Sequence, residues 1–219
     1  MGKWKLHWLD ATGDLSPWRD RITAEVQAGH AAMAPFVVPP RLDILMERDE
    51  EATRRDTGMG ASVARPNLLV LSFDPYNGDF NNALGGGVLR RQVVNAVHRA
   101  VRAAGPGYGF TLGGALVSEG LAAQFVRLVF GTSPEPWEVA EEATLAAHWP
   151  DQRTLMTTKY DAAEWFGGAG DKPFGYGYAL GCRMVGHWLT SGVALNAERL
   201  INVPTPKVLA AAPMQARAG

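Results

Sequence analysis

The chain is short of cysteine, of net charge and of long apolar runs, and each shortage removes a class of function. Cys182 is the single cysteine in 219 residues, so no intrachain disulfide forms and a cysteine-built zinc cage is excluded. A reducing compartment suits such a chain, and a cytoplasmic protein is expected. Its first residues, Met1-Gly-Lys-Trp-Lys-Leu-His-Trp8, contain no apolar stretch with a small-residue cleavage site. A myristoylation signal would need Ser or Thr where Leu6 stands. No stretch reads as the ~18 apolar residues of a membrane span. Lysine and arginine number 21 and aspartate and glutamate 22, for a net charge of −1. No global field therefore draws the protein to nucleic acid or to anionic lipid, and neither is expected as a partner.

What is present describes an ordinary globular chain, 47% hydrophobic and 20% charged. A fold of this size buries about 70% of the surface its unfolded chain exposes, so it needs no metal merely to hold together. Glycine (25) and proline (14) are plentiful, which implies many sharp turns. No repeat appears and no linker is long enough to split the chain, so a single domain over residues 1–219 is expected.

Ser16-Pro17 reads as the N-cap and first position of a helix over Trp18 to Ala34. Leu42 to Arg48 and Asn67 to Phe73 read as strands, the second apolar enough to be buried on both faces. Residues 54–66 read as a loop or hairpin connection, and Asp74 to Gly78 as a turn. Helices are predicted over Val88 to Ala104, Leu112 to Phe130, Trp137 to His148 and Tyr176 to Ser191, with a shorter one after Leu195. Residues 149–175 are loop-rich.

The helix over 88–104 has Leu89, Val93, Val97, Ala100 and Ala104 on one side. Arg91, Asn95, His98, Arg99 and Arg102 fall within roughly a 100° arc on the other, because spacings of three and four superpose on adjacent turns. Taken alone, that arc reads as a solvated basic face. The next helix places Glu119 among Ala115, Leu116, Ala122 and Ala123. A carboxylate in such company needs a cation, a metal or a hydrogen-bond donor if it is buried.

Gly105-Pro-Gly-Tyr-Gly109, Thr111-Leu112 and Ala115-Leu-Val-Ser-Glu-Gly-Leu-Ala122 together resemble the bacterial predicted zinc-dependent proteases of gluzincin type. The likeness runs from Leu6-His-Trp-Leu-Asp10 to Gly177-Tyr-Ala-Leu-Gly181. It implies an α+β, gluzincin-like domain in which a small N-terminal sheet packs on a helical half. In the family a helix carrying HExxH precedes the glycine loop: two His at i and i+4 hold zinc, and the Glu serves as general base. A Glu of the following helix supplies the third ligand.

Laid on this chain, that motif falls on Asn95, Ala96 and Arg99, while Glu119 keeps the third-ligand position and His98 matches a non-ligating histidine. Asn is a poor zinc ligand, Ala carries no base and Arg keeps its proton. No zinc or other cofactor is therefore expected. The resemblance sets position 99 opposite position 119, so an Arg99–Glu119 ion pair in place of the metal is the expectation, with Asn95 completing it.

Two functions follow from a degenerate site. One is a cleft kept for binding a peptide or a small anionic molecule, with Asn95, Arg102, Tyr108 and Tyr176 as binding residues. The other is metal-free chemistry, in which His98, Arg99, Glu119 and Tyr178 act as acid/base and anion-binding groups. A zinc protease comes third. Asp161, His148 and His187 read as surface or core residues, and His7 and His30 lack partner spacing. Gly85-Gly-Gly87 lacks the lysine of a phosphate loop, and Ser118 lies outside any GxSxG elbow.

Overall fold

The computed structural model of the chain describes residues 4–192 and 194–212. It is α+β, with two compact units, residues 1–104 and 105–219. In the first unit, strand β1 (Trp4–Leu9), helix α1 (Arg19–Met33) and strand β2 (Leu42–Arg48) make a β-α-β step. A hairpin of β3 (Met59–Arg65) and β4 (Leu68–Phe73) follows, then helices α2 (Phe80–Gly85) and α3 (Val88–Ala104). The sheet order is β1-β2-β4-β3, with β1, β2 and β4 parallel and β3 antiparallel at one edge.

Period-two alternation decides which face of this sheet is sealed. Leu42, Ile44 and Met46 of β2 are buried, whereas Asp43, Leu45 and Glu47 between them are half-buried. On β4, Leu69, Leu71 and Phe73 are buried while Leu68 and Val70 are only partly so. The expectation that this strand is buried on both faces is thus corrected: helices cover one side. Ile22, Val26 and Met33 of α1 and Leu89, Val93 and Val97 of α3 belong to the buried apolar set of this unit.

Two edge elements were not foreseen as strands, and both have physical reasons. β1 alternates half-buried Trp4, Leu6 and Trp8 with exposed Lys5, His7 and Leu9, and no apolar run marks it because neither set is fully buried. β3 contains Gly60, where a Cβ would lie 2.1 Å from the carbonyl oxygen of Ala52, so close backbone approach, not β-propensity, shapes the strand. Ser16 does not cap α1. Ser16–Trp18 form a 3-10 turn ahead of it, and the Ser16 hydroxyl donates to Asp10 at 3.0 Å.

The second unit is helical: α4 (Leu112–Phe130), α5 (Glu142–Ala147), α6 (Gln152–Leu155), α7 (Ala162–Gly167), α8 (Tyr176–Thr190), α9 (Ala197–Asn202) and α10 (Thr205–Ala211). The helix predicted over Trp137 to His148 is broken, with a 3-10 turn at Pro136–Glu138 and a helix only from Glu142. Extended backbone at Val139 and Glu141 separates the two.

Helix α4 is the centre of this unit. Leu112 and Leu116 join Leu145, Leu155, Trp165 and Tyr176 in one buried cluster. Against α8 the packing is backbone to backbone: a Cβ on Gly120 would lie 2.2 Å from the Gly181 carbonyl oxygen, and one on Gly181 would lie 2.1 Å from that of Leu116. By length and mean hydropathy α4 matches a membrane span, contrary to the sequence reading, but 78% of its apolar window is buried, the profile of a core helix.

Candidate functional site

In the second unit the glycine loop places one tyrosine against α4. Gly107 and Gly109 take φ of 94° and 97°, left-handed values that glycine adopts at little cost. A Cβ on Gly109 would also lie 2.6 Å from the Cα of Gly114. This close approach brings the Tyr108 main chain beside α4, where its carbonyl accepts from the Ser118 hydroxyl at 2.6 Å. The Thr111 side chain caps α4, accepting from the Gly114 N–H at 3.1 Å. Consecutive residues of α4 then hold both ends of Tyr108, because its phenol donates to Oε1 of Glu119 at 2.6 Å. A distance this short is characteristic of an O–H donor to a carboxylate, and Glu119 is only 6% exposed.

Other groups feel that carboxylate. Burial first, and the Glu119 charge second, push the Tyr160 phenol above its ordinary range. Tyr160 lies in the loop-rich segment, where no periodicity marks it in the sequence. Tyr176 is buried, its hydroxyl donates to the Leu145 carbonyl at 3.1 Å, and burial raises its pKa. The Tyr178 ring packs on Phe166 with centroids 5.0 Å apart.

The Cys182 thiol is pushed up to about 12, chiefly by burial and then by Glu138. Its unfolded counterpart titrates near pH 9, so the stability tied to this thiol is complete below that pH and is lost progressively up to about pH 12. Cys182 is expected to resist a disulfide-exchange reagent at pH 8 in native protein and to react at once in denaturant; equal rates in both states would contradict its burial.

In the first unit α3 carries the expected basic arc, but the arc is not a solvated face. His98 and Arg102 are buried, at 1% and 0% exposure, and Arg91, Asn95 and Arg99 are half-buried. Burial pulls Arg102 down to about 10. Arg99 donates through Nη2 to the main-chain carbonyl of Ala61 on β3 at 3.0 Å. Two turns earlier on the same helix, Gln92 donates to the carbonyl of Met59 at 3.4 Å. Gly58 accepts from the Asp74 N–H, so strict alternation turns the carbonyls of Met59 and Ala61 away from β4, toward these side chains. A carbonyl acceptor leaves no trace in a sequence, which is why this contact was not foreseen.

A family model described as a predicted Zn-dependent protease (DUF2268) matches residues 21–210. The chain belongs to that family. No curated protein and no solved structure matches it.

Membership in a predicted zinc-dependent protease family raises the question whether these residues could hold zinc. A zinc site needs three or four converging nitrogen, sulfur or oxygen ligands. Among the described residues, no group of three or more His, Cys, Asp or Glu is placed to hold a metal ion. The histidines are scattered: His7 meets Asp43 at 2.7 Å, His30 packs on Trp4, and His148 packs on Tyr176. The described residues do not fit zinc.

Proposed function

We propose that this chain is a gluzincin-like member of its family that has lost the zinc ligands and general base, and that it binds a peptide or a small anionic molecule without hydrolysing it. The observation that carries this reading is the donor set. Where the family resemblance asks for His, Glu and His, this chain has Asn95, Ala96 and Arg99, and none of these can hold zinc or take a proton from its water. The remaining acid, Glu119, accepts a hydrogen bond from Tyr108. The half-buried cationic groups of α3, Arg91 and Arg99, favour an anionic ligand. Metal-free catalysis by His98 has less behind it, since a general base must reach the proton it removes and His98 is 1% exposed.

Elemental analysis of protein from zinc-supplemented culture tests the reading. Zinc is expected far below one equivalent, and unchanged in Glu119→Ala. Stoichiometric zinc that disappears in Glu119→Ala would overturn it.

A further inference from the structure

At the carboxyl ends of β1 and β2 the first unit forms an open surface cavity of about 640 Å³, lined by Trp8, Asp10, Asp14, Arg19 and Arg48 among others. It lies by the β1 edge, whereas Arg99 meets β3 at the opposite edge of the sheet. Parallel strands commonly leave their ligand crevice at their carboxyl ends.

The lining has two acids and two arginines, and its chemistry depends on which of them the cavity presents. Asp10 is spent internally: its carboxylate accepts from the Leu15 N–H, the Ser16 hydroxyl and Arg19, and its side chain is 1% exposed. Asp14 accepts from Thr12, Tyr76 and Arg48 and is also largely covered. The two carboxylates are thereby held ionised below their ordinary range, by the Leu15 N–H foremost in Asp10 and the Thr12 hydroxyl foremost in Asp14.

Each arginine, by contrast, is fixed but not used up. Arg19 stacks on Trp8 at 5.0 Å and Arg48 on Tyr76 at 4.9 Å, while their side chains remain 44% and 41% exposed. A guanidinium has five N–H donors. Among the described residues, each of these spends one, at 3.3 Å on Asp10 and at 3.2 Å on Asp14. The acids thus act as braces, and the two arginines line the cavity as partly exposed donor forks.

We infer that this cavity is an anion-binding site, in which Arg19 and Arg48 together hold a phosphate or carboxylate group. The net charge of the four ionised lining groups is zero, so recognition comes from placed hydrogen bonds rather than from a long-range field. Such planar forks suit the paired oxygens of either anion.

Calorimetric titration of the full chain with inorganic pyrophosphate and, separately, with citrate tests this. Saturable binding of at least one anion is expected, weakened about ten-fold or more in both Arg48→Gln and Arg19→Gln, and unchanged in Arg41→Gln, an exposed arginine before the opposite end of β2. Preference for pyrophosphate identifies a phosphate site, and preference for citrate a carboxylate site. A melting curve for each variant separates lost binding from lost fold, and Arg48→Lys, which keeps the charge but not the fork, is expected to bind more weakly than the parent. Absence of binding by both anions, or an equal loss in Arg41→Gln, would overturn the assignment.

Discussion

Gly120→Ala is expected to destabilise the protein by about 3 kcal/mol or more, at the upper end of what overpacking a core costs. Helix propensity alone predicts the opposite sign, since Ala is favoured over Gly inside a helix by about 1 kcal/mol. Contact geometry decides between them. The new methyl would stand 2.2 Å from the Gly181 carbonyl oxygen, and backbone cannot rotate aside as a side chain can. Relief requires α4 and α8 to separate, which forfeits contacts along both helices. Gly181→Ala should behave alike, with its methyl 2.1 Å from the Leu116 carbonyl oxygen. Gly186→Ala is the control: it lies on α8 with nothing within 4 Å, so it should be neutral or stabilising by up to about 1 kcal/mol. Urea denaturation of the three variants reads the difference, and a Gly120→Ala protein as stable as Gly186→Ala would refute the close-contact account.

Arg127→Met is the second large effect, expected to cost about 3 kcal/mol because it strands an acid. Arg127 meets Glu138 at 2.7 Å, and only 9% of the Glu138 side chain is exposed. The pair itself contributes little net stability, since desolvating both charges offsets their attraction, but removing one partner leaves the other buried and uncompensated. Arg127 also reaches the Cys182 sulfur at 3.6 Å, and Glu138 accepts from the Glu135 N–H at 3.0 Å. Combining Arg127→Met with Glu138→Leu should recover much of the loss, a coupling that a double-mutant cycle in denaturant measures. If the double variant is no better than the sum of the singles, the stranded charge is not the cause.

The helices that carry the candidate residues were legible because strong punctuation bounds them. Val88–Ala104 and Leu112–Phe130 stand where the sequence places them: Gly105-Pro106-Gly107 closes one, and Gly131, at φ 63°, ends the other in a left-handed cap. Strand β2 was equally plain from its alternation. The weaker elements are those shaped by their neighbours. β3 is a strand because β4 pairs with it, and α2, α6 and α10 are too short for a period to declare itself.

At the site the same division holds. Small neighbours at i±3 and i±4 marked Glu119 as a buried acid, since burial follows from local sequence when the flanking helix face is apolar. The basic arc of α3 misled for a complementary reason. Charge on a helix face reads as exposure unless something else covers it, and the fully buried Arg102 shows that tertiary cover decides the matter. Tyr108 could be suspected from its loop, but not that a phenol would sit 2.6 Å from Glu119, because glycine dihedrals set its direction.

One consequence of the α3 contacts with β3 concerns the protein in crowded solution. An edge strand with outward carbonyls is a template for strands of other molecules, and proteins blunt such edges with charge. Here Arg99 meets the outward carbonyl of Ala61, and the Arg54 N–H at 3.2 Å together with Gln92 meets that of Met59. An incoming strand would have to displace a guanidinium before it could form its first bonds. Arg99, through its reach to Ala61, thus covers part of an edge that a shorter side chain would leave open.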